Sequence, residues 1–332
     1  MKIRVKTLTP VHIGNGDVIS PAEYISIDRD NKITYKLSDY LCKIDLVNLF
    51  KDPLFNPFIE LFINKAKNNR YIGHLIEPHG SPFNSFRRAL FNNIFCKIPI
   101  SQSAKNSNTI NINQFIKSAG RIFIPGSSLK GCLLSAVMWK VGKEKNIKNM
   151  NQLTNLMEIV ISESSVSKKK NKFSRWLDVS DSDLKSQEEV LEVSLVLATG
   201  GKRTGIPLLY ETLKTGITFD MELKTSVNSF YKFGKLEPEV ILEYADEFYR
   251  NIYKKFNYSF KIPENEYLVR IGQGSSVLAT SFLLLAEENK INNYNVYRRK
   301  APPLTPGQLP KTQKLVGGKI PMGWISVKVE GK

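Results

Sequence analysis

The sequence predicts an α+β fold, and three observations carry that prediction. The chain opens on Lys2-Ile3-Arg4-Val5-Lys6, where charged and aliphatic residues alternate with the two-residue period of a half-buried strand, and it closes on a strand-like stretch, Trp324–Val329. Pro238–Phe256 carries apolar residues at the spacing of an amphipathic helix. Strand-like and helical stretches follow one another without the regular βαβ rhythm of a parallel sheet.

The elements read in order as follows. Residues 2–8 and 22–27 are strands, joined by the turn-rich loop Thr9-Pro10-Val11-His12-Ile13-Gly14-Asn15-Gly16. Ser38 is placed to cap a helix running to about Phe50. Pro53 to about Phe95 is helical, with apolar Phe58, Leu61, Phe62, Phe86, Leu90 and Phe91. The Asn-rich stretch Ser101–Asn113 reads as a mobile loop. Arg121–Ile124 is a short strand, and helices follow to about Val141 and over Gln152–Ile161. Ser164–Lys172 is an exposed basic loop. Trp176–Ser180 and Glu189–Ala198 are strands, and Leu208–Lys214 pairs with Ile217–Lys224 as a hairpin across Thr215-Gly216. Leu278–Glu288 is a further helix.

Charge narrows the function. Among 332 residues, 48 Lys and Arg stand against 31 Asp and Glu, a formal net charge of +17. A surplus of that size repels itself unless a polyanion offsets it, and nucleic acid is the commonest one. A membrane partner is disfavoured: the N-terminus lacks the pattern of a signal peptide, and the best apolar run, Val277–Ala286, is too short to span a bilayer. Three scattered cysteines, Cys42, Cys96 and Cys132, point to a reducing, cytoplasmic compartment rather than to a disulfide framework or zinc knuckle. His74 and His79 flank a proline-containing stretch better read as a loop than as a metal site, so no metal or cofactor is expected.

The sharpest local signal is Ile124-Pro125-Gly126-Ser127-Ser128-Leu129-Lys130-Gly131. A Pro-Gly turn ends a strand and two serines open a helix, so free N–H groups, hydroxyls and the Lys130 ammonium can converge on a phosphate. A capped helix with a solvated lysine is the plain alternative. The stretch is not a Walker A loop, because Cys132-Leu133 stand where Lys-Ser/Thr is required. Three further glycine loops share its character: Thr199–Gly205 with Lys202 and Arg203, Arg270–Ser276 with Gly272 and Gly274, and Gly317–Trp324 with Lys319. Each alone is an ordinary turn; together they suggest a surface that follows an extended polyanion.

The motifs Thr9–Gly16 and Ile124–Gly131 resemble those of the RAMP superfamily of CRISPR proteins, and Leu177–Ser182 is similar to that family's short strand with a central aspartate. Arg270–Ser276 and Pro321–Trp324 look most like the subunit that caps the guide-RNA 3′ end in type III-A (Csm) complexes. One departure is Leu134, apolar where the family often carries Arg. The resemblance implies an RRM-like, ferredoxin-like RAMP core over residues 1–226, with a helical insertion at about 45–118, and a more divergent half over 227–332. It implies RNA binding by His12, Gly14, Gly126, Ser127, Ser128, Lys130, Lys202, Arg203, Arg270, Gly272, Gly274 and Lys319. The partners it implies are the crRNA, other subunits of the effector complex, and host ribonucleases that trim the 3′ end. No catalytic residue is expected. Asp178 and Asp181 fall on opposite faces of a strand, and His12 lacks a coherent acid–base partner. The competing readings are a metal-independent endoribonuclease of the same superfamily, with His12 as its acid or base, and a basic adaptor that binds no RNA.

Overall fold

The computed structural model describes residues 1–76, 82–160, 173–199, 207–226, 236–291, 293–298, 301–310 and 313–331. Lys202, Arg203, His79 and the basic loop's Lys168, Lys169, Lys170 and Lys172 lie outside the described residues. The first part of the chain forms β1 (Lys2–Thr7), β2 (Gly14–Ile19), β3 (Tyr24–Ile27), β4 (Ile33–Thr34) and β5 (Tyr40–Ile44). Three helices follow, α1 (Leu46–Leu49), α2 (Ile59–Lys67) and α3 (Pro82–Asn92), then β6 (Ile94–Pro99), β7 (Ile112–Phe115), β8 (Lys117–Ser118) and β9 (Arg121–Ile122). The middle comprises α4 (Gly126–Glu144), α5 (Met150–Val160), β10 (Leu177–Val179), α6 (Gln187–Val190), β11 (Leu191–Thr199), β12 (Leu208–Leu213) and β13 (Thr218–Thr225). The last part comprises α7 (Pro238–Lys255), β14 (Tyr267–Arg270), α8 (Val277–Thr280), α9 (Leu283–Glu288), β15 (Val296–Arg298), β16 (Ala301–Leu304), β17 (Gln313–Val316), β18 (Ile320–Pro321) and β19 (Trp324–Val329).

This is the expected α+β fold. One sheet runs in the order β10-β13-β1-β19-β14, with every neighbouring pair antiparallel. Its strands with α4 and α7 follow the ferredoxin-like order of strand, helix, two strands, helix, strand, and the closing strand β19 slots between β1 and β14. Alternation fixes the register: in β1, Ile3, Val5 and Thr7 point inward while Lys2, Arg4 and Lys6 face water. Helices α4 and α7 pack together against this sheet, with Trp139 and Phe248 meeting at 5.5 Å between ring centroids. A second sheet has the order β18-β17-β11-β12-β7-β2, and a third the order β4-β3-β5-β6. Strands from both sides of residue 226 share each of the two larger sheets.

Several local expectations give way to tertiary pairing. The stretch expected to form a helix from Ser38 to Phe50 is instead strand β5, held between β3 and β6, followed by the one-turn helix α1 capped by Asp45. The stretch expected to be helical to Phe95 stops at Asn92, where β6 begins. The loop expected to reach Gly16 becomes strand at Gly14. Ser101–Asn113 is packed down rather than mobile: Tyr24 donates its hydroxyl proton to the Ile110 carbonyl at 2.9 Å, and the Asn106 N–H reaches the Leu37 carbonyl at 2.7 Å. No hairpin joins 208–214 to 217–224. Gly216, at φ +88°, donates its N–H to the Thr7 carbonyl, and the chain passes there from the β12 sheet to the β13 sheet. The helix expected over Leu278–Glu288 breaks at Ser281, whose backbone is extended.

The start of α4 shows why the Pro-Gly-Ser-Ser motif is built as it is. Gly126 is buried, and a Cβ there would lie 2.1 Å from the Val179 carbonyl oxygen and 2.6 Å from that of Ser180. The close approach that this glycine permits is to the protein's own backbone. The Gly126 N–H donates to Asp181 Oδ1 at 2.7 Å, and the Ile124 N–H to Ser182 Oγ at 2.9 Å. Asp183 accepts the Asp220 N–H at 2.8 Å and pairs with Lys185. Gly126→Ala is therefore expected to push α4 off the 179–181 segment and to cost about 1–3 kcal/mol of stability, measured by denaturant unfolding; an unchanged midpoint would contradict this packing.

Candidate nucleic-acid interface

The structure brings the opening loop and the Arg270–Ser276 loop together. The contact is backbone to backbone. Gln273 N–H donates to the His12 carbonyl, and Gly272, at φ +70°, would place a Cβ 2.3 Å from that oxygen. Gly323, at φ +86°, fits the same way over the Ile271 carbonyl, with 2.3 Å to a Cβ, and donates its N–H to Pro10. Only glycine combines that φ with that proximity. The loop is closed by Trp324, whose carbonyl accepts the Leu8 and Thr9 N–H groups and whose own N–H reaches Thr9 Oγ1.

Arg270 does not stand at the surface as expected. It is 2% exposed, beneath the loop that it was expected to flank. Its Nε donates to the Met322 carbonyl at 3.0 Å and one terminal nitrogen to the Gly274 carbonyl at 2.8 Å. The guanidinium lies over the Trp324 ring at 5.0 Å and the Tyr258 ring at 5.6 Å. Arg270 thus fixes the shape of the glycine loop from inside.

The two loops border a cleft of about 390 Å³ lined by His12, Ile13, Gly14, Gly16, Asp17, Asn113, Gln114, Tyr210, Gly272 and Gln273. His12 is 4% exposed, its ring edge-on to Tyr210 at 4.7 Å and to Phe115 at 6.0 Å. His12 Nδ1 lies 2.7 Å from the Glu211 carbonyl oxygen. A carbonyl only accepts, so Nδ1 carries the proton and donates. Burial lowers the His12 pKa; the Glu211 carbonyl and carboxylate oppose that effect, and Lys314 and Lys117 reinforce it. The ring is therefore neutral near pH 7, with its lone pair on Nε2.

Glu211 itself is fully buried. Its carboxylate pairs with Lys43, and with Lys117 at 2.7 Å, and accepts the Phe115 N–H at 2.9 Å. Burial alone would raise the Glu211 carboxyl; the two lysines outweigh it and hold the group below its ordinary range. Sequence reading missed this cluster. The available signal was a carboxylate between Leu209 and Leu213 on the inward face of a strand.

The remaining expected residues lie elsewhere. At the start of α4, Ser127 is exposed and Lys130 half-buried, neither with a side-chain partner among the described residues, while the Ser128 N–H turns back to Pro125. Leu134, the apolar departure from the resembled motif, is buried. Lys319 is exposed on the turn between β17 and β18, which leaves the sheet beside the middle of β11, where the Gly317 N–H donates to the Leu195 carbonyl. A cation that sequence reading missed, Lys314, lies near the cleft with its ammonium 5.9 Å from the Tyr210 ring centre.

Because Glu211 neutralises the buried Lys43 and the half-buried Lys117, Glu211→Gln leaves that charge uncompensated. The expected loss is about 3–5 kcal/mol, read from chemical denaturation; a loss below about 1 kcal/mol, the value of an exposed pair, would contradict the role assigned to it.

Comparisons with known proteins agree with this architecture. The family described as the RAMP superfamily matches residues 4–277. The chain is 26% identical over 343 residues to a Streptococcus thermophilus protein described as CRISPR system Cms protein Csm5, covering 97% of this chain and 90% of that one. Among solved structures, a chain of a Csm–crRNA–target RNA ternary complex from a type III-A CRISPR-Cas system superposes with a TM-score of 0.72 at 22% identity, covering 99% of this chain and all of that one. The crystal structure of T. onnurineus Csm5 gives a TM-score of 0.66 at 20% identity, covering 97% and 99%. With the family matched over most of its length and the fold shared from end to end, the chain belongs to the RAMP superfamily.

Proposed function

We propose that this chain is a non-catalytic subunit of a type III-A CRISPR complex that binds the guide RNA (crRNA) along its backbone and caps its 3′ region. The observation that carries this reading is the end-to-end relation to the Streptococcus thermophilus Csm5 protein. The net charge of +17 supports a polyanionic partner. The cleft at His12 joins the opening loop, which resembles the RAMP superfamily's, to the Arg270–Ser276 loop, which resembles the 3′-capping subunit's, and Lys130 and Lys319 offer side chains for phosphate contacts.

The geometry gives little support to chemistry at this site. Among the described residues no group of three His, Cys, Asp or Glu side chains could hold a metal ion. Asp181 and Asp183 hold backbone N–H groups of their own chain. The neighbouring subunits and any ribonuclease that trims the 3′ end are partners that this reading carries with it. Among the described residues no helix is long and apolar enough to cross a membrane.

A backbone grip releases counterions. Binding of single-stranded RNA should therefore weaken by roughly 0.7 log units per log unit of salt for each phosphate contacted, and the RNA should be recovered intact with or without Mg²⁺. Fluorescence anisotropy across a salt series, followed by gel analysis of the same samples, checks both. A flat salt response contradicts the grip; cleavage abolished by His12→Ala contradicts the non-catalytic role.

A further inference from the structure

We propose that the cleft beside His12 reads the ribose 2′-hydroxyl of one guide nucleotide, with His12 Nε2 as the acceptor. The proposal rests on the RNA-binding reading above and names the group of the RNA that the site senses.

A Cβ at Gly14 would lie 2.8 Å from His12 Nε2, so any other residue would cover the nitrogen. Gly14 is not among the glycines in the left-handed region, although the β2–β7 pairing is irregular between Gly14 and Val18, so a positive φ is not what demands glycine there. What demands it is access to Nε2. That nitrogen has no hydrogen-bond partner among the described residues, although the side chain around it is almost wholly buried. It is not among the wholly buried unpaired polar atoms, so it keeps contact with solvent beside the exposed Gly14 and stands open to an incoming donor.

The donor's identity follows from the tautomer. With the proton fixed on Nδ1, Nε2 offers a lone pair. A phosphate oxygen has no proton to give and would be repelled, the more so with the Asp17 carboxylate among the cleft's lining residues. A ribose 2′-hydroxyl is a donor present on every ribonucleotide and absent from DNA. A protein that must accept guides of many sequences can use it at any base. The volume of about 390 Å³ lies in the range of sites for single small ligands. The Asn113, Gln114 and Gln273 side-chain amides along the lining offer donors and acceptors for the rest of the nucleotide. Lys314, beyond the Tyr210 ring, is placed for a neighbouring phosphate.

The test uses the full chain and single-stranded guide RNA carrying 2′-deoxy or 2′-fluoro substitutions one position at a time, with abasic ribonucleotides as a parallel set. At one position both sugar substitutions should weaken binding by wild type roughly three- to tenfold, the effect of one hydrogen bond, while the abasic replacement leaves it unchanged. His12→Phe, which keeps ring volume, should bind unmodified RNA with the same loss and ignore the substitutions. Gly14→Ala, which covers Nε2 and keeps the imidazole, should do likewise, so a folding defect in one variant does not decide the matter. Three results overturn the proposal while RNA binding stands: no sugar-sensitive position, sensitivity that persists in both variants, or sensitivity to base removal instead of sugar change. Wild type that binds neither RNA set overturns the RNA-binding reading itself.

Discussion

The buried carboxylate of Glu211 is the constraint on which the site depends. It stands on β12, in the middle of the six-stranded sheet, and its side chain joins Lys43 of the β4-β3-β5-β6 sheet to Lys117 of β8 and to the Phe115 N–H of β7. Its own carbonyl takes the His12 Nδ1 proton. One residue therefore ties two sheets together and sets the tautomer of the histidine in the cleft. The arrangement is costly to assemble, since three charged groups leave water, and costly to break once assembled, since removing one leaves the others unpaired. That asymmetry keeps the floor of the cleft in one geometry.

The wall of the cleft is held by a different device, glycine against backbone. Gly272 rests on the His12 carbonyl and Gly323 on that of Ile271, so residues far apart in the chain meet without side chains between them. Arg270 braces the loop from below through the Gly274 and Met322 carbonyls and two aromatic faces. The insertion of β19 between β1 and β14 makes this possible, because it brings the start and end of the chain side by side just where both loops leave the sheet. A pre-formed cleft loses little entropy when it takes a ligand.

The parts of the fold legible in the sequence are those fixed by local pattern. The alternation in Lys2–Thr7 and the helical periodicity of Pro238–Lys255 appear in the structure almost as read. Partners were not legible. Thr215-Gly216 announces a turn correctly, but turn chemistry does not say that β12 pairs with β11 while β13 pairs with β1. Ser38 looks like a cap, yet the pairing of Tyr40–Ile44 on both edges decides in favour of strand. At the site, His12, Gly14 and Gly272 were each expected to touch RNA, but neither their meeting at one cleft nor their depth was legible. A histidine among glycines reads as an exposed loop residue, and an arginine before glycines as an exposed cation; both are buried here by strands distant in sequence. Glu211 was visible only as an acidic residue out of place between leucines.

Under the proposed function, the 3′ region of a guide RNA runs across the His12 cleft. The most direct measurement is photocrosslinking in the assembled complex, with 4-thiouridine placed at single guide positions and the attached peptides identified by mass spectrometry. Positions in the 3′ region should crosslink to peptides containing residues 12–17, 113–114 or 272–274. Crosslinks to these peptides only from the 5′ region, or none to them from a complex that retains its guide, would contradict that reading.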